Sequence, residues 1–196
     1  MRLTKKTLMT ASTLTLVSAA EIEAQCNAVG IGSTDFVPFV ETATEHVATI
    51  CERAMLTQTW KGYLDRFPGD YEIELPLGQL QSVTSITYYD TNGTSAVYAA
   101  SNYGVDIASE PGRIVLEYQK LWPTTTLRNT NPIEIVFVAG WTSVALVPAA
   151  IKHAIRLLAA HYYEHREEVV LGNSAAVQSA LLSAGAGDLL RNWRMF

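Results

Sequence analysis

Two periodicities divide the chain. In the first quarter, Phe36, Val40, Ala43, Val47, Ile50 and Ala54 recur at steps of three and four, which predicts a helix from about Thr34 or Asp35 to Ala54 with an apolar stripe facing a core. Pro38 falls in its first turn, where a proline is tolerated because the missing N–H has no partner there. From Leu56 to Gly140 the period drops to two. Thr57, Thr59 and Lys61 alternate with Gln58, Trp60 and Gly62, and Tyr71 to Leu75 alternates in the same way, as half-buried strands do. Asn92-Gly93, between Ile86–Asp90 and Thr94–Tyr98, predicts a hairpin through a type I′ turn. Further strands are expected at Arg113–Tyr118 and Ile133–Val138, with a long threonine-rich loop from Gln119 to Pro132 between them.

The helical period returns after Val147-Pro148. Ile151, Ile155, Leu158 and Tyr162 form an inward stripe with Leu157 and His161 beside it, and the helix is expected to run to about Val170, where Gly172 and Asn173 stop it. A last helix is expected from about Ser174 to Leu190, weakened by Gly185 and Gly187. At the other end, Ser18 and Glu21 have the spacing of a capping box, so a helix from Ala19 to Asn27 is expected, preceded by a short extended segment at Thr13–Leu16. Arg2, Lys5 and Lys6 before Leu8–Ala20 also have the outline of a secretory signal, but Thr and Ser at positions 7, 10, 12, 13, 15 and 18 interrupt its apolar part.

With 196 residues the chain is long enough for one domain carrying a large insertion, given about 150 residues per domain. The expectation is an α+β subunit in which residues 1–55 and 141–196 form a small helical bundle and residues 56–140 form an antiparallel β insertion of about five to seven strands. The net charge of −5 argues against a domain that grips DNA by neutralising phosphates. Cys26 and Cys51, the only two cysteines, fall in expected helices and read as buried free thiols. No stretch approaches the roughly 20 apolar residues of a membrane span.

The candidate chemistry is sparse. His161-Tyr-Tyr-Glu-His165 spells the pattern of inverted zinc proteases, which sets two imidazoles one helical turn apart. A working site needs a third ligand, and Glu167, Glu168 and Asp188 are the only acidic residues after His165. The first two are on the same expected helix and cannot close a tetrahedron, so no metal, no cofactor and no enzymatic activity are expected. His46 and His153 lie on different expected helices, and Ala28-Val-Gly30-Ile-Gly32 lacks the spacing of a dinucleotide fingerprint. Two segments read as contact surfaces. The tail Arg191, Trp193, Arg194, Met195 and Phe196 alternates apolar bulk with positive charge, the residue types enriched at interface centres. The loop with Lys120, Trp122 and Arg128 is the second.

Leu56–Trp60, Asp65-Arg-Phe-Pro68, Ile73–Leu77, Val83–Asp90, Val147–Ile155 and Tyr162–Glu167 together, in order and spacing, resemble the head-to-tail connector (adaptor) proteins of long-tailed double-stranded-DNA phages. The His-x-x-Glu-His letters fall where that family ends a helix in Tyr-Glu-x-Arg-Glu. The resemblance implies a structural virion protein of the head–tail neck, assembled in the host cytoplasm, that closes into a twelve-fold ring of identical subunits beneath the portal protein. It further implies a neck, stopper or tail-completion protein as the next partner, genomic DNA passing through the lumen without specific binding, and no membrane. The threonine-rich N-terminus and the length of the β insertion depart from the family pattern. A different class, a secreted or periplasmic β-rich binding module, requires that residues 1–20 be cleaved.

Overall fold

The computed structural model describes residues 1–26, 28, 32–164 and 185–195. Its contacts divide into two units, one made of Met1–Thr13 and Leu56–Thr142 together with Met195, the other lying within Leu14–Met55 and Ser143–Arg194. The architecture is α+β.

The first unit holds two antiparallel sheets. The strands are β1 (Lys5–Thr10), β2 (Gln58–Leu64), β3 (Glu72–Leu75), β4 (Leu80–Tyr89), β5 (Ser95–Tyr98), β6 (Tyr103–Asp106), β7 (Gly112–Leu116) and β8 (Ile133–Ala139). One sheet has the order β1-β2-β8-β4-β5 and the other β3-β7-β6. Strand β8 alternates without a break, with Ile133, Ile135, Phe137 and Ala139 buried, and it is the central strand of the larger sheet although it comes last in sequence. Ile73, Leu75 and Ile114 complete the core from the smaller sheet.

The expected extended segment at Thr13–Leu16 is corrected. The strand lies earlier, at Lys5–Thr10, because there the backbone pairs with β2, with Lys5 opposite Tyr63 and Leu8 opposite Trp60. Leu16 and Val17 instead bury themselves in the second unit. Residues 1–13 accordingly belong with the β unit and not with a helical segment 1–55.

The hairpin between β4 and β5 forms at the expected dipeptide with a different turn. Tyr89 pairs with Ser95, Gly93 N–H donates to the Asp90 carbonyl, and of the two expected positive φ angles only that of Gly93 occurs, at 82°. The Asp90 carboxylate takes the backbone N–H groups of Asn92 and Thr94, so a side-chain acceptor holds a three-residue loop where a type I′ turn was expected.

The second unit contains α1 (Ala19–Gln25), α2 (Val37–Cys51), α3 (Ala149–Glu164) and α4 (Ala186–Leu190). Ser18 and Glu21 form the capping box on α1. A 3₁₀ turn over Ser33–Phe36 leads into α2, whose first turn holds Pro38. Phe36, Val40, Ala43, Val47 and Cys51 are buried, Ile50 is only half-buried, and Glu52 ends the helix in a left-handed conformation at φ 51°, two residues before the expected Ala54. On α3 Ile151, Ala154, Ile155, Leu158 and Ala159 are buried, and the Pro148 carbonyl accepts from Ile151 and Lys152 at the helix start. The expected end of this helix near Val170 and most of the expected helix over 174–190 lie outside the described residues.

Candidate functional site

The C-terminal segment is built on α4. Ala186 and Leu190 are buried against α3, and a 3₁₀ turn over Arg191–Trp193 follows. Arg53, one residue beyond the left-handed end of α2 and itself buried, donates from Nε to the Trp193 carbonyl at 2.6 Å. A guanidinium taken out of water needs such an acceptor, so the turn is tied to the helix by its backbone. Of the side chains, Arg191 and Arg194 are exposed, and Trp193 and Met195 half-buried. Phe196 lies outside the described residues. Burial pushes the nearby Cys51 thiol up, with the positive charges of Arg53 and Arg194 acting in the opposite direction. Both Cys51 and Cys26 are free cysteines.

The loop of Lys120, Trp122 and Arg128 is pinned at two places. Trp122 stacks on Phe67 with ring centroids 5.4 Å apart and an interplanar angle of 13°, meets Tyr98 at 5.5 Å, and donates Nε1–H to the Asp70 carbonyl at 2.9 Å. Phe67, Tyr88 and Tyr103 extend this aromatic cluster. Tyr98 Oη–H donates to the Leu121 carbonyl, and burial raises the Tyr98 phenol, so it remains the donor. At the second pin the Arg128 guanidinium lies 3.9 Å above the Tyr89 ring, and Nη2 donates to the Asn131 carbonyl at 2.7 Å. Lys120, Tyr118 and Leu121 are exposed just before the first pin. Trp122 and Arg128 therefore hold the loop in place, and the surface it offers is carried by their neighbours. Arg191–Arg194 of the tail belong to a different unit from the loop, while Met195 groups with the loop's unit.

One partly exposed ion network ties the strands of the smaller sheet together. Arg113 on β7 bridges Glu72 at 3.1 Å and Asp106 at 2.8 Å, and Ser109 and Arg113 hydrogen bonds hold the Asp106 carboxyl far below the usual carboxylate range. It links the three strands β3, β7 and β6.

The histidine pattern is only partly visible. His161 is half-buried on α3, His153 is exposed, and His165 lies outside the described residues. His46 Nδ1 lies 2.5 Å from Tyr162 Oη, which joins α2 to α3. Among the described residues no group of three His, Cys, Asp or Glu side chains could hold a metal ion. No described helix is long and apolar enough to cross a membrane.

Comparison with solved structures matches nearly the whole chain. A chain in the neck of an empty GTA particle computed with C6 symmetry superimposes with a TM-score of 0.76 at 21% identity, over 97% of this chain and 95% of that one. This chain has that neck component's fold. A chain in the virion of a native gene transfer agent (GTA) particle gives a TM-score of 0.75 at 19% identity, over 96% and 94% of the two chains. A chain in the neck of a native GTA particle computed with C12 symmetry gives 0.74 at 21%, over 97% and 94%. No protein-family model matches the sequence, and no curated protein matches it.

Sequence reasoning passed over two surfaces that the fold exposes. Strand β1 is exposed along its whole length, and the outer face of α2 carries Glu41 and Glu45 in water, with Asp35 exposed in the 3₁₀ turn before it. The signal was present in Lys5-Lys6 within a strand-like alternation and in a helix without a single lysine or arginine.

Proposed function

We propose that this protein is a structural virion component, a ring-forming head-to-tail connector that sits beneath the portal and joins the DNA-filled head to the neck and tail. The observation that carries this reading is the fold likeness over 97% of the chain to a chain in a particle neck computed with cyclic symmetry. A cyclic ring needs two different complementary faces on each subunit, and the α+β architecture offers a β unit and a helical unit for them. The partners are identical subunits, the portal, and a neck, stopper or tail-completion protein. The net charge of −5 fits a subunit that lets DNA slide through the lumen without binding it. The role is mechanical, with no reaction and no cofactor.

The docking residues in this reading are Arg191, Trp193, Arg194, Met195 and Phe196 in the tail, with Lys120 and the loop held by Trp122 and Arg128 as the second contact. Light scattering of the isolated protein together with imaging of the assembled neck tests the proposal. The expected outcome is a monomer or weak oligomer alone and a closed ring on the portal. A closed two-fold dimer in both settings would overturn it.

A further inference from the structure

Strand β1 is the outer strand of the larger sheet, and every residue from Lys5 to Thr10 is exposed. Neither face of it is covered, because Lys5 and Thr7 on one face and Lys6 and Leu8 on the other are all exposed. Its edge is poorly suited to pairing with another strand. The register shifts between Leu8 and Thr10, which makes Met9 a bulge, and lysines at positions 5 and 6 crowd the start. Bulges and lysines are what sheet edges carry when strand addition is to be avoided. What remains is a side-chain surface on which Lys6 and Leu8 share one face, about 7 Å apart.

The outer face of α2 has the complementary content. Val37 is 41% exposed, and Pro38, Glu41 and Glu45 are exposed with it. Val37, Glu41 and Glu45 follow one another at one-turn steps of about 6 Å. Glu41 and Glu45 repel each other at this spacing, and α2 has no lysine or arginine to relieve them. Among the described residues no ion pair joins the side chains of Lys5, Lys6, Asp35, Glu41 or Glu45 to anything. An apolar side chain beside a cation on the strand thus matches an apolar side chain beside an anion on the helix, at nearly the same spacing.

We infer that β1 of one subunit docks on the outer face of α2 of a second copy of this chain, with Leu8 against Val37 and Lys6 against Glu41 and Glu45, while Lys5 on the opposite face of the strand adds positive charge at longer range. The two surfaces are different, so the contact is head-to-tail and repeats from copy to copy until a ring closes. This inference rests on the ring reading and names the junction within it.

Charge reversal tests it with two full-length variants, Lys5→Glu with Lys6→Glu, and Glu41→Lys with Glu45→Lys. All four positions are exposed, so both variants should unfold like the parent. Each alone sets like charges across the junction, and association, read by sedimentation at low salt where the isolated parent self-associates and as ring occupancy in imaged portal-bound necks where it does not, should weaken roughly a hundredfold. An equimolar mixture restores opposite charges at every junction and should associate like the parent, with alternating subunits. The inference is overturned if either variant alone associates as the parent does, or if the mixture remains dissociated while both variants are folded. A parent chain that neither self-associates in sedimentation nor forms a ring in imaged necks overturns the ring reading itself, and the junction falls with it.

Discussion

Gly112 shows how closely a single residue can be fixed by its surroundings. It opens β7 opposite Leu75, and a Cβ built on it would stand 2.5 Å from Leu80 Cβ and 2.6 Å from Leu80 Cδ2. Leu80 Cβ is anchored to the β4 backbone and cannot swing away as the end of a flexible side chain could. Gly112→Ala should therefore destabilise the β unit by about 1–3 kcal/mol, as overpacking of a filled core does. Gly69→Ala, where a Cβ would meet nothing within 4 Å, is the matched control and should change the denaturation midpoint little. Chemical denaturation of the two variants decides the point. The strand expected from Arg113 opens one residue earlier, at Gly112. The reason for glycine was hidden, since Leu80 is more than thirty residues away in sequence. Ser18 and Glu21 were legible because a capping box is local, with both partners three residues apart.

At the scale of elements, the loop after β7 was recognised by its length and its threonines, while its rigidity was not. Trp122 is the anchor through its stack on Phe67 and its bond to the Asp70 carbonyl. Trp122→Ala should cost about 2–3 kcal/mol, below the value for a fully buried tryptophan because one side of the ring meets solvent. It should also speed cleavage by an added protease within the exposed Thr124–Thr126 stretch. Lys120→Ala, in an exposed position, should change stability by less than about 0.5 kcal/mol. Limited proteolysis and denaturant unfolding of both variants separate an anchored loop from a merely solvated one. The position of β1 was misjudged for a related reason. Thr13–Leu16 and Lys5–Thr10 both alternate well enough to be strands, and the choice was made by Thr4 and Tyr63, whose backbones meet across the sheet.

For the whole molecule, the C-terminal tail contributes to stability through its backbone, and its proposed docking role can be tested apart from that. Deleting everything after Leu190 removes the Trp193 carbonyl and leaves the buried Arg53 guanidinium without that acceptor, a loss expected to be about 1–3 kcal/mol. Arg191→Ala with Arg194→Ala keeps the backbone and touches only exposed side chains, so its unfolding should match the parent. If the tail is the docking peptide proposed above, both variants should yield DNA-filled heads that fail to accept tails. Normal virions from the double alanine variant would show that these arginines take no part in docking. Scanning calorimetry and particle imaging are the two readouts.

The sequence by itself determined the helical stripes of α2 and α3, the β character of 56–140, the capping box and the turn site at Asn92-Gly93. All of these follow from contacts within a few residues and from the periods of 3.6 and 2 that burial imposes on a chain. Only the tertiary structure decided that β8 is the central strand, that Met1–Thr13 joins the β unit, that Glu52 ends α2 early, and that Arg53 holds the tail. Strand order and a buried cation's acceptor are fixed by hydrogen bonds between groups far apart in sequence, and a one-dimensional pattern shows only that such groups will be buried, not which of them will meet.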